Sequence, residues 1–333
     1  MRHWMVLFAA SVLAVVYDQR GTVREGNGRE GAESVILVVS DGLRWQEVFR
    51  GADSSILFGD PAALGPNADL TRRKYWRPTA DARRQALMPF VWSTLVTKGD
   101  LRGNRDLGSH VDVANEMRFS YPGYNEMLAG HPDSRIDTNE FGPNPNVTVF
   151  EWLNRRREFR GQVVAFGTWD TFQDIFNVER SGIDVRTHGT EPVDVVVHRD
   201  AMPYLASKHP RAAFVGYAET DDWGHEGRYD RFLDAIHAVD GYLRQIWEES
   251  QADARYRGRT TLIFTADHGR GRSAADWRHH GADVPGAEET FIISIGPRIA
   301  AQGELRASRN TLGEVAYKTA AAVGMRFRRS IDD

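Results

Sequence analysis

Six side chains able to ligate a metal flank short apolar runs of this sequence. Asp41 follows the run 34–40, Asp221 and His225 follow 212–217, Asp267 and His268 follow 260–265, and His280 precedes 290–295. Imidazole nitrogens and carboxylate oxygens together hold zinc and similar ions in catalytic sites. Six such ligands are too many for one ion with an open position. They suit two ions sharing a nucleophile, an arrangement that clamps the attacking and leaving oxygens of an in-line displacement. Taken singly, each residue has an ordinary alternative, because an Asp after a strand is often a turn former or helix cap. Their joint placement carries the reading. His110, His131, His188, His198 and His209 lack that placement and read as surface or loop residues, His237 reads as structural, and His279 reads as a partner of His280.

A nucleophile candidate stands apart from these ligands. Ser120 opens the segment 119–130, FSYPGYNEMLAG, in which Pro122 suits a first helical turn and Gly130 a helix end. A hydroxyl at that place meets the positive end of the helix dipole, which favours an alkoxide or a bound phosphate oxygen. A neighbouring ion would lower the hydroxyl pKa much further. The alternative is that Ser120 is only an N-cap.

The elements that must position these residues read as an α/β fold. The runs 34–40, 162–166, 212–217, 260–265 and 290–295 are short and apolar, as strands buried on both faces are. Helices are expected at 86–98, 147–157, 228–247 and 311–322, and 51–85 reads as loop. Strands alternating with helices predict a three-layer α/β/α domain with a mostly parallel central sheet, and ligands gather at the carboxyl ends of such strands. The expected organisation is a signal peptide over 1–16, a linker over 17–32 and a single catalytic domain over 33–330. The signal reading rests on a basic start followed by 13 largely apolar residues, too few to span a bilayer, which needs about 20. It predicts a periplasmic or secreted protein with no membrane span beyond that signal.

Composition narrows the chemistry. The 333 residues contain no cysteine, so disulfides, thiolate nucleophiles, Cys-type zinc sites and iron–sulfur clusters are excluded. A net charge of −4 gives no sign of a nucleic-acid-binding surface. Nothing in the sequence bears on oligomeric state.

Over residues 35–297 the motif order resembles the alkaline phosphatase superfamily, and within it the type I phosphodiesterase/nucleotide pyrophosphatase branch. The resemblance rests on Val39-Ser40-Asp41-Gly42, Ser120-Tyr121-Pro122, Asp221-x-x-Gly224-His225, Thr265-Ala266-Asp267-His268-Gly269 and His280-Gly281. It implies that Asp221, His225 and His280 bind one divalent ion. Asp41, Asp267 and His268 would bind another with Ser120, the ions being zinc, with manganese as a substitute. Ser120 would form a phosphoseryl intermediate. Pro132-Asp133 followed by Ile136-x-x-Asn139 resembles the stretch carrying a phosphoryl-binding asparagine, which makes Asn139 the candidate and Asn125 a second. The branch usually has Thr-Phe-Pro-Asn where this chain has Ser-Tyr-Pro-Gly, and Tyr124 replaces an arginine that sulfatases of the superfamily require. The expectation is a secreted metal-dependent hydrolase of small phosphoric esters, phosphodiesterase or phosphomonoesterase. The alternative is a phosphomutase or phosphotransferase of the same superfamily; a sulfatase or an inactive binding protein ranks below both. Tyr121, Tyr124, Trp45 and Trp223 are expected to line the leaving-group pocket.

Overall fold

Seven consecutive buried residues, Ser34–Ser40, form strand β1, and their alternation feeds two separate hydrophobic layers. Ile36 and Val38 face one layer, and Val35, Leu37 and Val39 the other. The structure, a computed structural model, describes residues 33–189 and 193–328. The expected signal peptide and linker lie outside the described residues.

The remaining strands are β2 (Asp100–Arg102), β3 (His110–Asp112), β4 (Val163–Gly167), β5 (Asp184–Thr187), β6 (Ala212–Tyr217), β7 (Thr260–Thr265), β8 (Glu289–Thr290), β9 (Ile292–Ile295), β10 (Gly303–Glu304) and β11 (Arg309–Thr311). Seven of them join β1 in one sheet in the order β10-β2-β9-β7-β1-β6-β4-β5, and β11-β3-β8 form a small second sheet. Within the large sheet only β9 runs antiparallel to its neighbours. This is the mostly parallel α/β sheet that the apolar runs predict.

Helices cover both faces. On one, α3 (Asp194–Lys208) and α5 (Tyr229–Ala252) pack Val197, Leu205, Phe232, Ile236 and Leu243 against Ile36 and Val38. On the other, α1 (Ser120–Ala129), α2 (Val149–Asn154) and α6 (Glu314–Ala322) pack Leu128, Phe150 and Val315 against Val35 and Leu37. A short helix α4 (Glu219–His225) follows β6 directly. Because β6 and β7 flank β1 in parallel, with Ser40 beside Tyr217 and Val39 beside Thr265, all three strands end at one edge.

Two expectations need correction. The segment 51–85 is not loop: it holds helices Ser54–Gly59, Ala68–Tyr75 and Ala80–Leu87. Few of their residues are buried, so their apolar period is faint, whereas Asp53 and Thr79 cap two of them by accepting from Ser55 N and Ala82 N. The run 290–295 is also not one strand. Thr290 pairs in the small sheet with β3, and the chain passes at Phe291 to β9 in the large one. No helix among the described residues is long and apolar enough to cross a membrane.

Asp240, buried within α5, anchors the segment entering the sheet from 89 onward by accepting from Phe90 N at 2.8 Å and Val91 N at 2.9 Å. Burial pushes its carboxyl up to about 6 from 3.8 despite these two donors. A folded value above the unfolded one means that the proton's contribution is complete below the unfolded value and is lost as pH rises through 6. Between pH 4 and pH 7 the stability difference between Asp240→Asn and the wild type should therefore move in the variant's favour by up to about 3 kcal/mol. Urea unfolding at the two pH values measures it, and an unchanged difference contradicts the assignment.

Candidate functional site

Asp41 leaves the end of β1 with its N–H donating to Tyr217 O at 2.8 Å, which fixes it beside the end of β6. Thr220, in the first turn of α4, donates its hydroxyl to Asp41 O at 2.5 Å and shares a 2.8 Å hydrogen bond with Ser40 Oγ. That brace sets Asp221 next to Asp41. Asp267, just beyond β7, accepts from Gly42 N at 3.0 Å. The three carboxylates thus come from three adjacent strands.

All six expected ligands and Ser120 meet at this edge. His268 Nε2 lies 3.4 Å from Asp41 Oδ1, 3.5 Å from Asp267 Oδ2 and 3.9 Å from Asp221 Oδ1. His225 Nε2 lies 3.1 Å from Asp221 Oδ2 and 2.9 Å from His280 Nε2, which is 3.7 Å from Asp221 Oδ1. Ligand atoms about 2 Å from a tetrahedral ion stand roughly 3.4 Å apart, so these separations fit shared ions. Among the described residues two groups of side chains could hold a metal: Asp41, Asp267 and His268, and Asp221, His268 and His280, with His225 beside the second. The donor set supports the fit, because the buried oxygens Asp41 Oδ1 and Asp267 Oδ2 accept no hydrogen bond from the protein. His268 Nδ1 lies 2.9 Å from Gly269 O, a contact that turns Nε2 toward the carboxylates.

Crowded acids without an ion shift one another. Burial, then the charge of Asp221, raises the Asp41 carboxyl; burial, then Asp41, raises Asp267 well above the usual range. Burial also opposes the charge of Asp221, yet the Arg270 guanidinium, with His225, His268 and His280, holds it well below that range. His268 is pulled up to about 9: burial disfavours its charge, but Asp267 and Asp41 outweigh that. His280 goes the other way, down to about 2, through burial and the adjacent His268. Burial and Asp221 push Asp222 up to about 7.

Ser120 is the first residue of α1, and Phe119 occupies the N-cap with no side-chain cap. The N-cap alternative for Ser120 therefore fails. Its Oγ lies 3.5 Å from His268 Nε2 instead. Two residues earlier Arg118 has φ 55°, a left-handed conformation that costs a non-glycine residue about 1–2 kcal/mol. Gly123 lets α1 lie against β7's end, since a Cβ there would stand 2.4 Å from Asp267 O. Asn139 Oδ1 accepts from Tyr121 N at 3.0 Å, which sets its amide beside Ser120 and leaves Nδ2 to donate elsewhere. Asn125 is committed to the scaffold, bonded to His131 O and to Asn146.

The aromatic lining departs from expectation. Tyr121 and Tyr124 are buried; Tyr121 donates to Gly142 O, and Tyr124 to Asp41 Oδ2 at 3.0 Å. Trp45 is buried and donates to Glu289, and Trp223 packs on the core. The cavity beside Ser120, about 360 Å³, is bordered instead by Asn139, Glu140, Thr168, Trp169 and Asp222. Thr168 and Trp169 follow β4, so the strand-end rule that located the acids would have located them too. Arg270, immediately after the Asp267-His268-Gly269 motif, also escaped the sequence reading. His279 is exposed without a side-chain hydrogen bond and does not orient His280, and His198 is buried against Tyr217 and Gln245 rather than on the surface.

Comparison with known proteins agrees with this fold. Residues 182–326 match the model of the Metalloenzyme superfamily, which bears out the resemblance to the alkaline phosphatase superfamily. GPI ethanolamine phosphate transferase 1 of Neurospora crassa is 25% identical over 299 residues, 83% of this chain and 27% of the relative. The same-named protein of Aspergillus oryzae is 27% identical over 310 residues, 84% of this chain and 26% of the relative. The chain thus spans about a quarter of the length of the curated relatives it matches. The lipoteichoic acid synthase LtaP of Listeria monocytogenes shares the fold with TM-score 0.57 at 12% identity, covering 90% of this chain and 74% of that one. So does the murine ectonucleotide pyrophosphatase/phosphodiesterase 5 bound to AMP, with TM-score 0.57 at 12% identity, covering 90% and 97%. The zinc complex of the C-terminal domain of EptC from Escherichia coli follows, with TM-score 0.56 at 10% identity, covering 89% and 83%.

The two GPI ethanolamine phosphate transferases are transferases by name, which favours the phosphotransferase alternative over the hydrolase expectation. They also correct the expected periplasmic or secreted location, since the GPI ethanolamine phosphate transferases are neither. The physical reason for the error is plain. A basic start and an apolar run mark a segment suited to a membrane, but hydropathy alone does not say which compartment receives the rest.

Zinc should stabilise the protein, because an ion relieves the repulsion among three buried carboxylates. At free zinc about 100-fold above its dissociation constant the gain is about 2.7 kcal/mol. Calorimetric melting with and without zinc measures it, and Asp267→Asn should lose most of it; an unshifted melting temperature for the wild type would rule out the metal reading.

Proposed function

We propose that this superfamily site transfers a phosphoric-ester group by way of Ser120, with two divalent ions, zinc being the first choice, as cofactors. The observation that carries the reading is the convergence of six side chains able to ligate a metal with the Ser120 hydroxyl at one sheet edge, beside a cavity that Asp41, Asp221 and Ser120 help to line. The family match supplies the reaction class. The choice of an alcohol rather than water as acceptor rests on the transferase relatives.

Bound ions would lower the pKa of the Ser120 hydroxyl and balance charge building on the phosphoryl oxygens. The chain's own residues do the rest. Ser120 Oγ gives up its proton and forms a bond to phosphorus as the bond to the donor's oxygen breaks, and the departing alkoxide takes up one proton in exchange. An acceptor hydroxyl then loses its proton and attacks the same phosphorus from the cavity, the Ser120 Oγ–phosphorus bond breaks, and Ser120 regains a proton. The Asn139 amide donates to a phosphoryl oxygen, and the Ser120 N–H, at the positive end of α1, faces the developing charge, since Tyr121 N is bonded to Asn139 and Gly123 N to Phe119 O.

The cavity also favours a substrate of particular charge. Its described lining residues include Glu140 and Asp222 in addition to the candidate ligands Asp41 and Asp221, and no Lys or Arg. Spare carboxylates beside an indole suit an ammonium group. A small zwitterionic ester such as ethanolamine phosphate, the group in the names of the relatives, meets that requirement.

Incubation with p-nitrophenyl phosphoethanolamine and excess glycerol should yield glycerol phosphoethanolamine. Ser120→Ala should lower turnover by about three orders of magnitude and Asn139→Ala by about two. Mass spectrometry of quenched wild-type protein should find the ethanolamine phosphate adduct on the peptide containing Ser120. Unimpaired turnover by Ser120→Ala refutes the mechanism, and release to water with no glycerol product returns the reading to a hydrolase.

A further inference from the structure

Arg270 is almost fully buried beside the candidate metal ligands. Its guanidinium donates to the Asp221 carboxylate, to Asp221 O at 2.9 Å and to Arg278 O, while its Nε finds no acceptor. Two motif glycines make room for it. At Gly42, where φ is +58°, a Cβ would stand 2.4 Å from Asp221 Oδ1 and 3.0 Å from Arg270 Nε; at Gly224 it would stand 2.6 Å from Arg270 Cζ. Three motif segments, at 41–42, 221–225 and 267–270, therefore close around one fixed cation.

That cation touches only one of the three carboxylates. Asp221 is engaged by the guanidinium, whereas the ionic partner within reach of Asp41 and Asp267 is His268. Asp41, Asp221 and Asp267 carry three negative charges when ionised, and Arg270 returns one positive charge, because a guanidinium stays protonated in proteins. A single divalent ion then brings the group to neutrality. A second would share Asp221 with the guanidinium and be repelled by it at short range, weakly screened because the Arg270 side chain is fully buried and that of Asp221 mostly so. The side chain of His225 on that flank is half-exposed, so solvent reaches the second position.

We infer that Arg270 makes the two ion positions unequal: the Asp41–Asp267–His268 position binds a divalent ion tightly, and the Asp221–His225–His280 position binds one weakly and exchangeably. The inference rests on the two-ion reading of the proposed function and adds to it an order of occupancy and the residue that sets it.

Zinc competition against a fluorescent chelator, with elemental analysis of the full chain, tests it without any activity measurement. The wild type should retain one zinc, with the second bound at least about tenfold more weakly. Arg270→Gln keeps a donor for Asp221 but removes the charge, and should tighten the second zinc about tenfold or more; Arg270→Lys, which keeps the charge, should leave it weak. Loss of orientation at Asp221 works in the opposite sense and costs about 10–100-fold when a ligand's hydrogen-bond partner is deleted outright, which is why the substitution retains a donor. His225→Ala, a change at a half-exposed side chain, should abolish the weak zinc and spare the tight one, which keeps the order of occupancy testable if Arg270→Gln does not fold. Two equal zinc affinities in the wild type, an unchanged gap in Arg270→Gln, or loss of the tight zinc in His225→Ala overturns the inference. Absence of any zinc binding overturns the metal reading itself and is distinct from these outcomes.

Discussion

Three buried carboxylates that repel one another are the constraint on which the rest of this protein depends. Asp41, Asp221 and Asp267 are forced together because β6, β1 and β7 are adjacent and parallel and end at the same edge. Ionised carboxylates in an apolar interior are costly unless matched by opposite charge. The protein offers Arg270 and His268, and two carboxylate oxygens still accept no hydrogen bond. The fold thus carries an electrostatic debit that a divalent ion is suited to cancel, and Arg270 sets how much remains.

The serine follows the same logic. The N-cap residue Phe119 offers no side-chain acceptor, so Asn139 accepts from Tyr121 N in its place, and the chain also takes a left-handed Arg118 to reach this helix start. Local strain of this kind persists when surrounding packing over-determines it. Here the packing is the contact of α1 with the end of β7 through Gly123 and the hydrogen bond from Tyr124 to Asp41. The tyrosine that replaces the sulfatase arginine therefore serves the candidate metal-binding carboxylate and does not reach the substrate cavity. A second cavity, about 320 Å³ and lined by residues such as Ile36, Met202, Leu205 and Ile246, is largely apolar and holds no comparable group of ligands.

Much of the fold was legible in the sequence. β1, β6 and β7 appear there as uninterrupted apolar runs, since strands covered on both faces must be apolar throughout. The long amphipathic helix appears as a period of three to four. The polar helices between residues 54 and 87 were not legible, because their stability comes from caps and a few tertiary contacts rather than from a continuous apolar stripe. The break at Phe291 was hidden for a related reason: two strands in different sheets can share one apolar run when both are buried. In the site, the acids and histidines announced themselves by type and by position after strands. Arg270 did not, because a buried arginine beside a motif is indistinguishable in sequence from the many exposed ones.

What the sequence determined alone is therefore a matter of residue type and short-range pattern: which segments pair as strands, which groups can bind an ion, and which hydroxyl begins a helix. What tertiary structure decided is proximity between distant residues. Gly42 and Asp267 are 225 positions apart and touch because strand order makes β1 and β7 neighbours. The same strand order decides that Ser120 faces His268 rather than capping its own helix, that Trp169 borders the cavity in place of the expected tyrosines, and that Arg270 closes on Asp221. Hydrophobic pattern acts along the chain, but charge and hydrogen bonding act through space, and only the folded chain fixes those distances.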